Sequence, residues 1–448
     1  MKHDLLIKNA EALVFKDGKI QKQQIAVAAK DGKISHLGSS HVDAEQILDA
    51  QGLHLLPGVI DSQVHFREPG LTHKEDLESG TRGALLGGVT SIFEMPNTVP
   101  ATTTEEAFQN KMAAAAGRCW THYAFFVGGS PENVETLQHL EQLPGCSGIK
   151  IFMGSSTGSL LVEDDPTLEK IFRSGKRRVI LHSEDEYVLR ERKKLVIESK
   201  KITDHPVWRN VESALSSTKR LLALSEKTGR PVHVLHVTSQ EEMELLFQEK
   251  QKLPRFGRVT VEVLPNHLSL WAPDCYERLG TYAQQNPPIR EKRHWEALWK
   301  AVNNGTVDVL GSDHAPHTRE EKDKEYPGTP SGMPGVQTLV PIMLNHVHEG
   351  RLSLEKFVEL ACENQRHVFG CFQKGRIELG LDADFTLVDL KKKKKIEKSW
   401  IASRVGWTPF DGLQVTGWPT HSILMGQVRM SENQLLGSPA GQKVLFQK

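Results

Sequence analysis

The chain has 448 residues, 38% of them apolar and 25% charged, with 56 Lys and Arg set against 56 Asp and Glu. A formal net charge of zero excludes the diffuse basic field of a nucleic-acid binder. No apolar run reaches the roughly 20 residues that span a bilayer, which argues against a membrane protein. Five scattered cysteines without a C-x-x-C pair predict neither a disulfide framework nor a thiolate metal site. With no secretory leader at the N-terminus, the expectation is a soluble protein of the reducing cytoplasm.

In chain order, the first fifty-odd residues read as short strands. LLIKNAEALV, IAVAAKDGKISHLG and ILDAQGLHLLP carry apolar residues punctuated by Asp-Gly pairs, which favour tight turns. After Pro57, compact apolar runs alternate with amphipathic stretches. Eight such runs occur, at 55–66, 89–97, 121–128, 147–154, 177–184, 231–239, 259–267 and 307–317. Strands buried on both faces read as continuous apolar runs, and alternation with helices implies parallel crossovers. Eight units of this size predict an α/β chain built on a (β/α)8 TIM barrel. A doubly wound sheet fits less well, because no glycine-rich dinucleotide loop is present.

From about Gly375 the strand texture returns in ADFTLVDL and HSILMGQVRM. A small β-sandwich domain formed from both chain ends is therefore expected, with residues 1–56 and 373–448 flanking a catalytic barrel at 57–372. The five lysines Lys391–Lys395 read as a solvated turn, because isolated charge runs usually face water.

In such a barrel the active site forms at the C-terminal ends of the strands. Those ends here carry His65, Asn97, Lys150, His182, His236, His267 and the segment from Asp313 to His317. A single histidine in such a place is more often structural than functional, but this many ionisable groups on one rim point to chemistry. Imidazoles and carboxylates from separate strands are what an open zinc site requires. At a strand repeat of roughly 30 residues, His65, Lys150, His182, His236 and Asp313 fall on strands one, four, five, six and eight. His233 lies three residues before His236, so alternation would put it on the opposite face, as a structural residue.

HFREPG (65–70), EMPNT (94–98), GIKIFMG (148–154), LHSED (181–185), HVLHVTS (233–239), NPPIR (286–290), GSDHAPH (311–317) and SGMPGVQT (331–338) together resemble dihydroorotase, in the amidohydrolase superfamily. The resemblance runs from about Asp4 to Met430. It implies a reversible, metal-dependent cyclisation of N-carbamoyl-L-aspartate to dihydroorotate and water in de novo pyrimidine synthesis. It also implies one or two zinc ions, with His65, His182, His236 and Asp313 as ligands. Lys150 would be a further ligand once carbon dioxide has converted it to a carbamate (N6-carboxylysine), because an ammonium cannot bind zinc. Asp313 would in addition carry the proton between water and the leaving nitrogen. Arg67, Asn97 and His317 would clamp the substrate carboxylate, and the chain near Asn286 and Gly335 would hydrogen-bond the ring. Ser155–Gly158 is the loop expected to close over substrate.

One position departs from the family's His-x-His at the first strand. Gln63 stands where the first histidine is expected, and its amide oxygen is a weaker zinc ligand than imidazole. The number of metals is open on this ground. The same residue favours one alternative, a catalytically inactive dihydroorotase-like scaffold for aspartate transcarbamoylase. The other alternative is a hydantoinase or allantoinase acting on a related cyclic amide. A small-molecule substrate is expected, with a homodimer and an aspartate transcarbamoylase association left open.

Overall fold

The computed structural model describes residues 2–156 and 160–447. Eight parallel strands, Val59–Val64, Val89–Glu94, His122–Gly128, Cys146–Phe152, Val179–His182, Val232–Val234, Val259–Val263 and Val309–Leu310, pair in chain order in one sheet. Seven fall inside the eight apolar runs, and the fourth begins one residue before its run, at Cys146. A parallel bridge from Val64 to His314, with the His65 N–H donating to the His314 carbonyl at 2.7 Å, brings the first strand to the end of the last. The barrel is thus nearly closed.

Helices cover the outside, and several start on a side-chain cap that satisfies free N–H groups of the first turn: Asp76, Thr104, Asp164, Asp185, Asn210 and Ser239. Two long helices, Glu186–Ser199 and Val211–Thr228, occupy the long step before the sixth strand. The strands bury both faces, as continuous apolar runs require. Ile149, Ile151, Val179, Leu181, Val232, Val234, Val259 and Val261 belong to the large cluster shared with the helices. Ile60, Phe93, Phe126, Ile180 and Val309 form a second cluster inside the barrel. Phe369 plugs that interior, with its ring 5.3 Å from Phe93, 6.2 Å from Phe126 and 5.6 Å from His233, side chains of three different strands.

The chain ends build two flanking sheets. One has four strands, all from the first fifty residues; the other has seven and mixes Glu11–Lys16, Lys19–Gln24 and His54–Pro57 with strands from residue 385 onward. The Asp-Gly pairs at 17–18 and 31–32 turn hairpins, with Asp17, Gly18, Asp31 and Gly32 all at positive φ, as type I′ turns require. Asp384, in the Gly-Leu-Asp-Ala-Asp-Phe stretch, ties these sheets to the barrel by its contacts with His122 (3.1 Å) and Lys374 (2.6 Å). Residues 441–447 run along the barrel: Tyr123 pairs with Gln442 and Val444, and Phe446 packs on Phe93.

The lysine run is not a turn. Lys391–Lys395 end the strand Phe385–Lys395, paired antiparallel with Gln414–Leu424 after an irregular register at Asp389. Lys394 lies over the ring of Trp418, and Lys392 pairs with Glu432. Backbone pairing with the neighbouring strand decides this segment. All five cysteines are free and buried. Among the described residues no helix is long and apolar enough to cross a membrane.

Candidate active site

A cleft at the C-terminal mouth of the barrel is lined by Gln63, His65, Arg67, Asn97, Lys150, His182, His236, Asn286 and Asp313, with Phe152, Ser156, Ala315, Ser331 and Gly332. The strand ends deliver these groups. Lys150 comes from the fourth strand and His182 is the last residue of the fifth. Arg67, His236 and Asp313 follow the first, sixth and eighth strands and all have left-handed backbones, with φ of 64°, 37° and 47°. Non-glycine residues in that region carry strain and tend to cluster where function demands a fixed side chain.

The left-handed kink at His236 also corrects the expectation for His233. Alternation ends there, so both histidines belong to the barrel interior. His233 sits one layer deeper, 2.8 Å from Thr260 Oγ1 and 3.8 Å from Glu262.

One half of the cleft presents two imidazoles, His182 Nδ1 and His236 Nε2, 3.1 Å apart. Glu184 accepts from His182 Nε2 at 2.9 Å and is itself paired with Arg209. A proton held on Nε2 leaves Nδ1 with its lone pair toward the cleft. Burial alone would raise the Glu184 carboxyl, but Arg209 and His182 hold it down at about 2. Of the LHSED carboxylates, Glu184 supports the histidine, while Asp185 caps the next helix.

The other half is a hydrogen-bonded cluster around Asp313. His65 Nε2 lies 3.2 Å from Asp313 Oδ1, and His65 Nδ1 lies 2.7 Å from Asn97 Oδ1. Gln63 Nε2 donates to Asp313 Oδ1 at 3.1 Å, and Gln285 Nε2 donates to Oδ2 at 3.2 Å. Burial would raise this carboxyl too, yet the hydrogen bond from His65, the nearby imidazoles and Gln285 hold it well below the usual carboxylate range.

Between the halves, Lys150 is buried with its ammonium 4.4 Å from the Phe152 ring. Burial pushes its pKa down to about 7, against the pull of Asp313 and Glu262. Among the described residues no three His, Cys, Asp or Glu side chains gather as a ready metal cage. Two facing imidazoles beside a lysine that can be neutral at pH 7 do fit a metal, provided the lysine becomes an anionic oxygen ligand. Two nitrogens on one tetrahedral zinc stand roughly 3.3 Å apart, close to the separation seen.

Arg67 is buried, with its Nε donating to the Pro316 carbonyl at 3.3 Å. Its Nη2 stands 3.3 Å from His317 Nε2. His317 Nδ1 faces the Lys74 ammonium at 3.2 Å and the Glu321 carboxylate at 3.7 Å, and its Nε2 lies 3.1 Å from the Ser331 carbonyl. Only two of the five N–H donors of the Arg67 guanidinium are placed by these contacts, which leaves donors for a ligand in the cleft.

Two residues expected at the substrate do not line the cleft. His317 stands behind Arg67 and is fully buried. Gly335 gives its N–H to His314 Nδ1 at 3.1 Å and its carbonyl to Thr338, leaving no free backbone group. Ser331 and Gly332 line the cleft from that segment. Asn286 does line it, and its Oδ1 lies 3.0 Å from His205 Nε2. His267 bonds the Pro287 carbonyl, and Asn266 bonds Gln285. Of the loop Ser155–Gly158, Thr157 and Gly158 lie outside the described residues. Glu184, Arg209, Gln285 and Lys74 were not singled out from sequence, although Glu184 stood two residues from a ligand candidate.

A barrel with flanking sheets from both ends, and with imidazoles, a buried lysine and a carboxylate at its mouth, defines a class. The amidohydrolase family profile matches residues 54–429, and the chain belongs to that family. It is a hydrolase of a family that is generally metal-dependent. It is 32% identical to the dihydroorotase of Methanosarcina mazei over 452 residues, covering 99% of this chain and 97% of the relative. The L-hydantoinase of Paenarthrobacter aurescens is 33% identical over 448 residues, covering 97% and 96%. The solved L-hydantoinase (dihydropyrimidinase) from Arthrobacter aurescens superposes with a TM-score of 0.93 at 31% identity, covering 99% of this chain and 100% of that one.

Proposed function

We propose that the chain is a zinc-dependent dihydroorotase of the cytoplasm, interconverting dihydroorotate and N-carbamoyl-L-aspartate in pyrimidine synthesis. The observation that carries this is the buried guanidinium of Arg67, with a donor to spare, in the same cleft as Lys150, His182, His236 and Asp313. A buried cation of this kind calls for an anionic partner, and a ring substrate bearing a free carboxylate supplies one. Relatives named dihydroorotase support the same substrate.

Zinc would be held by His182, His236 and Lys150, with Lys150 as its carbamate: the neutral amine adds to carbon dioxide, forming an N–C bond and releasing a proton. When bound, the metal would supply a water of lowered pKa and polarise the ring carbonyl. The chain's own residues do the rest. Arg67 orients the carboxylate. Asp313 takes the proton of the attacking water and delivers it to the ring nitrogen as the C–N bond breaks. Glu184 keeps His182 in the tautomer that offers Nδ1. Glu184→Gln is expected to weaken zinc affinity roughly 10- to 100-fold, read by competition with a chelator.

The test is the rate of dihydroorotate ring opening before and after zinc loading in bicarbonate. Zinc-dependent turnover is the expected result, and a folded, zinc-loaded chain without turnover would transfer the assignment to the inactive scaffold, which Gln63 alone favours. Hydantoinase activity is favoured by the TM-score of 0.93 to an L-hydantoinase. Arg67→Met separates the two substrates. Loss of a charge-assisted clamp is expected to lower kcat/KM for dihydroorotate roughly 10- to 100-fold, with little change for a hydantoin lacking a carboxylate. Equal losses on both would remove Arg67 from the clamp.

A further inference from the structure

The two halves of the cleft are built differently. On one side His182 and His236 turn nitrogens toward one point, 3.1 Å apart, with Glu184 fixing the His182 tautomer from behind. On the other side the groups are engaged with one another. His65, like His182, has both nitrogens in contact, one with Asn97 and one with Asp313, so the difference lies at Asp313 and Gln63. Both oxygens of Asp313 accept from side-chain amides, Oδ1 from Gln63 at 3.1 Å and Oδ2 from Gln285 at 3.2 Å. Because Gln63 gives its NH2 to the carboxylate, its carbonyl oxygen is turned away from Asp313. That oxygen is buried with no hydrogen-bond partner. Reversing the amide would press a carbonyl dipole against an ionised carboxylate. An imidazole at position 63 would instead offer a lone pair, the ligand that zinc prefers.

We infer that this centre takes a single metal ion, at His182, His236 and Lys150, and that a second position is one ligand short because Gln63 places an amide, hydrogen-bonded to Asp313, where an imidazole would be needed. The inference rests on the proposed metal-dependent activity and specifies its centre. Asp313 is thereby left out of the coordination shell and free to carry a proton. His65 becomes a group that positions Asp313.

The experiment counts zinc per chain by mass spectrometry after loading in bicarbonate and removal of free metal, in the wild type, Gln63→Ala and Gln63→His. A cobalt(II)-loaded set is followed by electron paramagnetic resonance. One zinc is expected in the wild type and in Gln63→Ala, which loses the amide without gaining a ligand. Two are expected in Gln63→His, with the isolated-ion cobalt signal giving way to a coupled one. Two zinc ions in the wild type, or a folded Gln63→His that stays at one, would overturn the inference. Failure of the proposed activity reads differently: a chain that binds one zinc yet opens no dihydroorotate leaves the metal count standing and removes the activity. A chain that takes up no zinc overturns both.

Discussion

Lys150→Met is expected to abolish zinc binding at His182 and His236 and to lower ring opening by roughly 10³-fold or more. The metal's contribution to transition-state charge is several kcal/mol, and each 1.36 kcal/mol is a factor of ten. Two imidazoles alone leave the site one protein ligand short of the usual three. Methionine keeps the length of the side chain in its place beside Phe152 but cannot become a carbamate. A second readout separates loss of chemistry from loss of fold. Burial lowers the Lys150 pKa from 10.5 to about 7. A lysine whose folded pKa lies below its unfolded value must release a proton on folding between those two values. Stability of the metal-free chain therefore rises with pH from about 7 toward 10.5, and the lysine is destabilising below that window. Lys150→Met without metal is expected to melt higher than the metal-free wild type at pH 7, and to lose that part of the pH dependence. A lower Tm would mean that Lys150 contributes packing that methionine does not replace. The same direction governs carbamate formation, because only the neutral amine adds carbon dioxide. Uptake from bicarbonate is expected to increase as pH is raised through 7.

Asp313→Asn is expected to cut turnover roughly 10²- to 10⁴-fold, the range of a lost general acid–base group. Asparagine keeps the shape and one acceptor oxygen but cannot take a proton. Because Asp313 is held well below the usual carboxylate range by His65, His236 and Gln285, it stays ionised through the neutral range. Loss of activity on mild acidification then belongs to Lys150 or the imidazoles, not to Asp313. Zinc content of Asp313→Asn, measured alongside, is expected to equal that of the wild type. A parallel loss of zinc would make Asp313 a ligand.

The eight barrel strands were legible in the chain because a strand covered on both faces is mostly apolar. Short runs such as 177–184 and 231–239 stood out for that reason. The same logic exposed the site: Lys150 and His182, at the ends of apolar strands, would be costly to bury without a purpose. The two Asp-Gly hairpins were legible too, because few other residue pairs tolerate left-handed backbone at both turn positions. Lys391–Lys395 were misread because five identical residues carry no alternation. Only the ladder with Gln414–Leu424 makes them a strand.

Strand periodicity and the chemistry of individual side chains were thus properties of the chain itself, since both depend on near neighbours in sequence. Depth, direction and partnership were not. His233 and His236 share a barrel interior because the backbone turns left-handed at His236, which no spacing rule foretells. His317 and Gly335 carry plausible chemistry, but the fold sets one behind Arg67 and gives both backbone groups of the other to its own neighbours. Gln63, Gln285, His65 and Asp313 meet only when the barrel closes. A hydrogen bond acts over about 3 Å whatever the sequence separation, so which groups become partners is decided by the closed barrel.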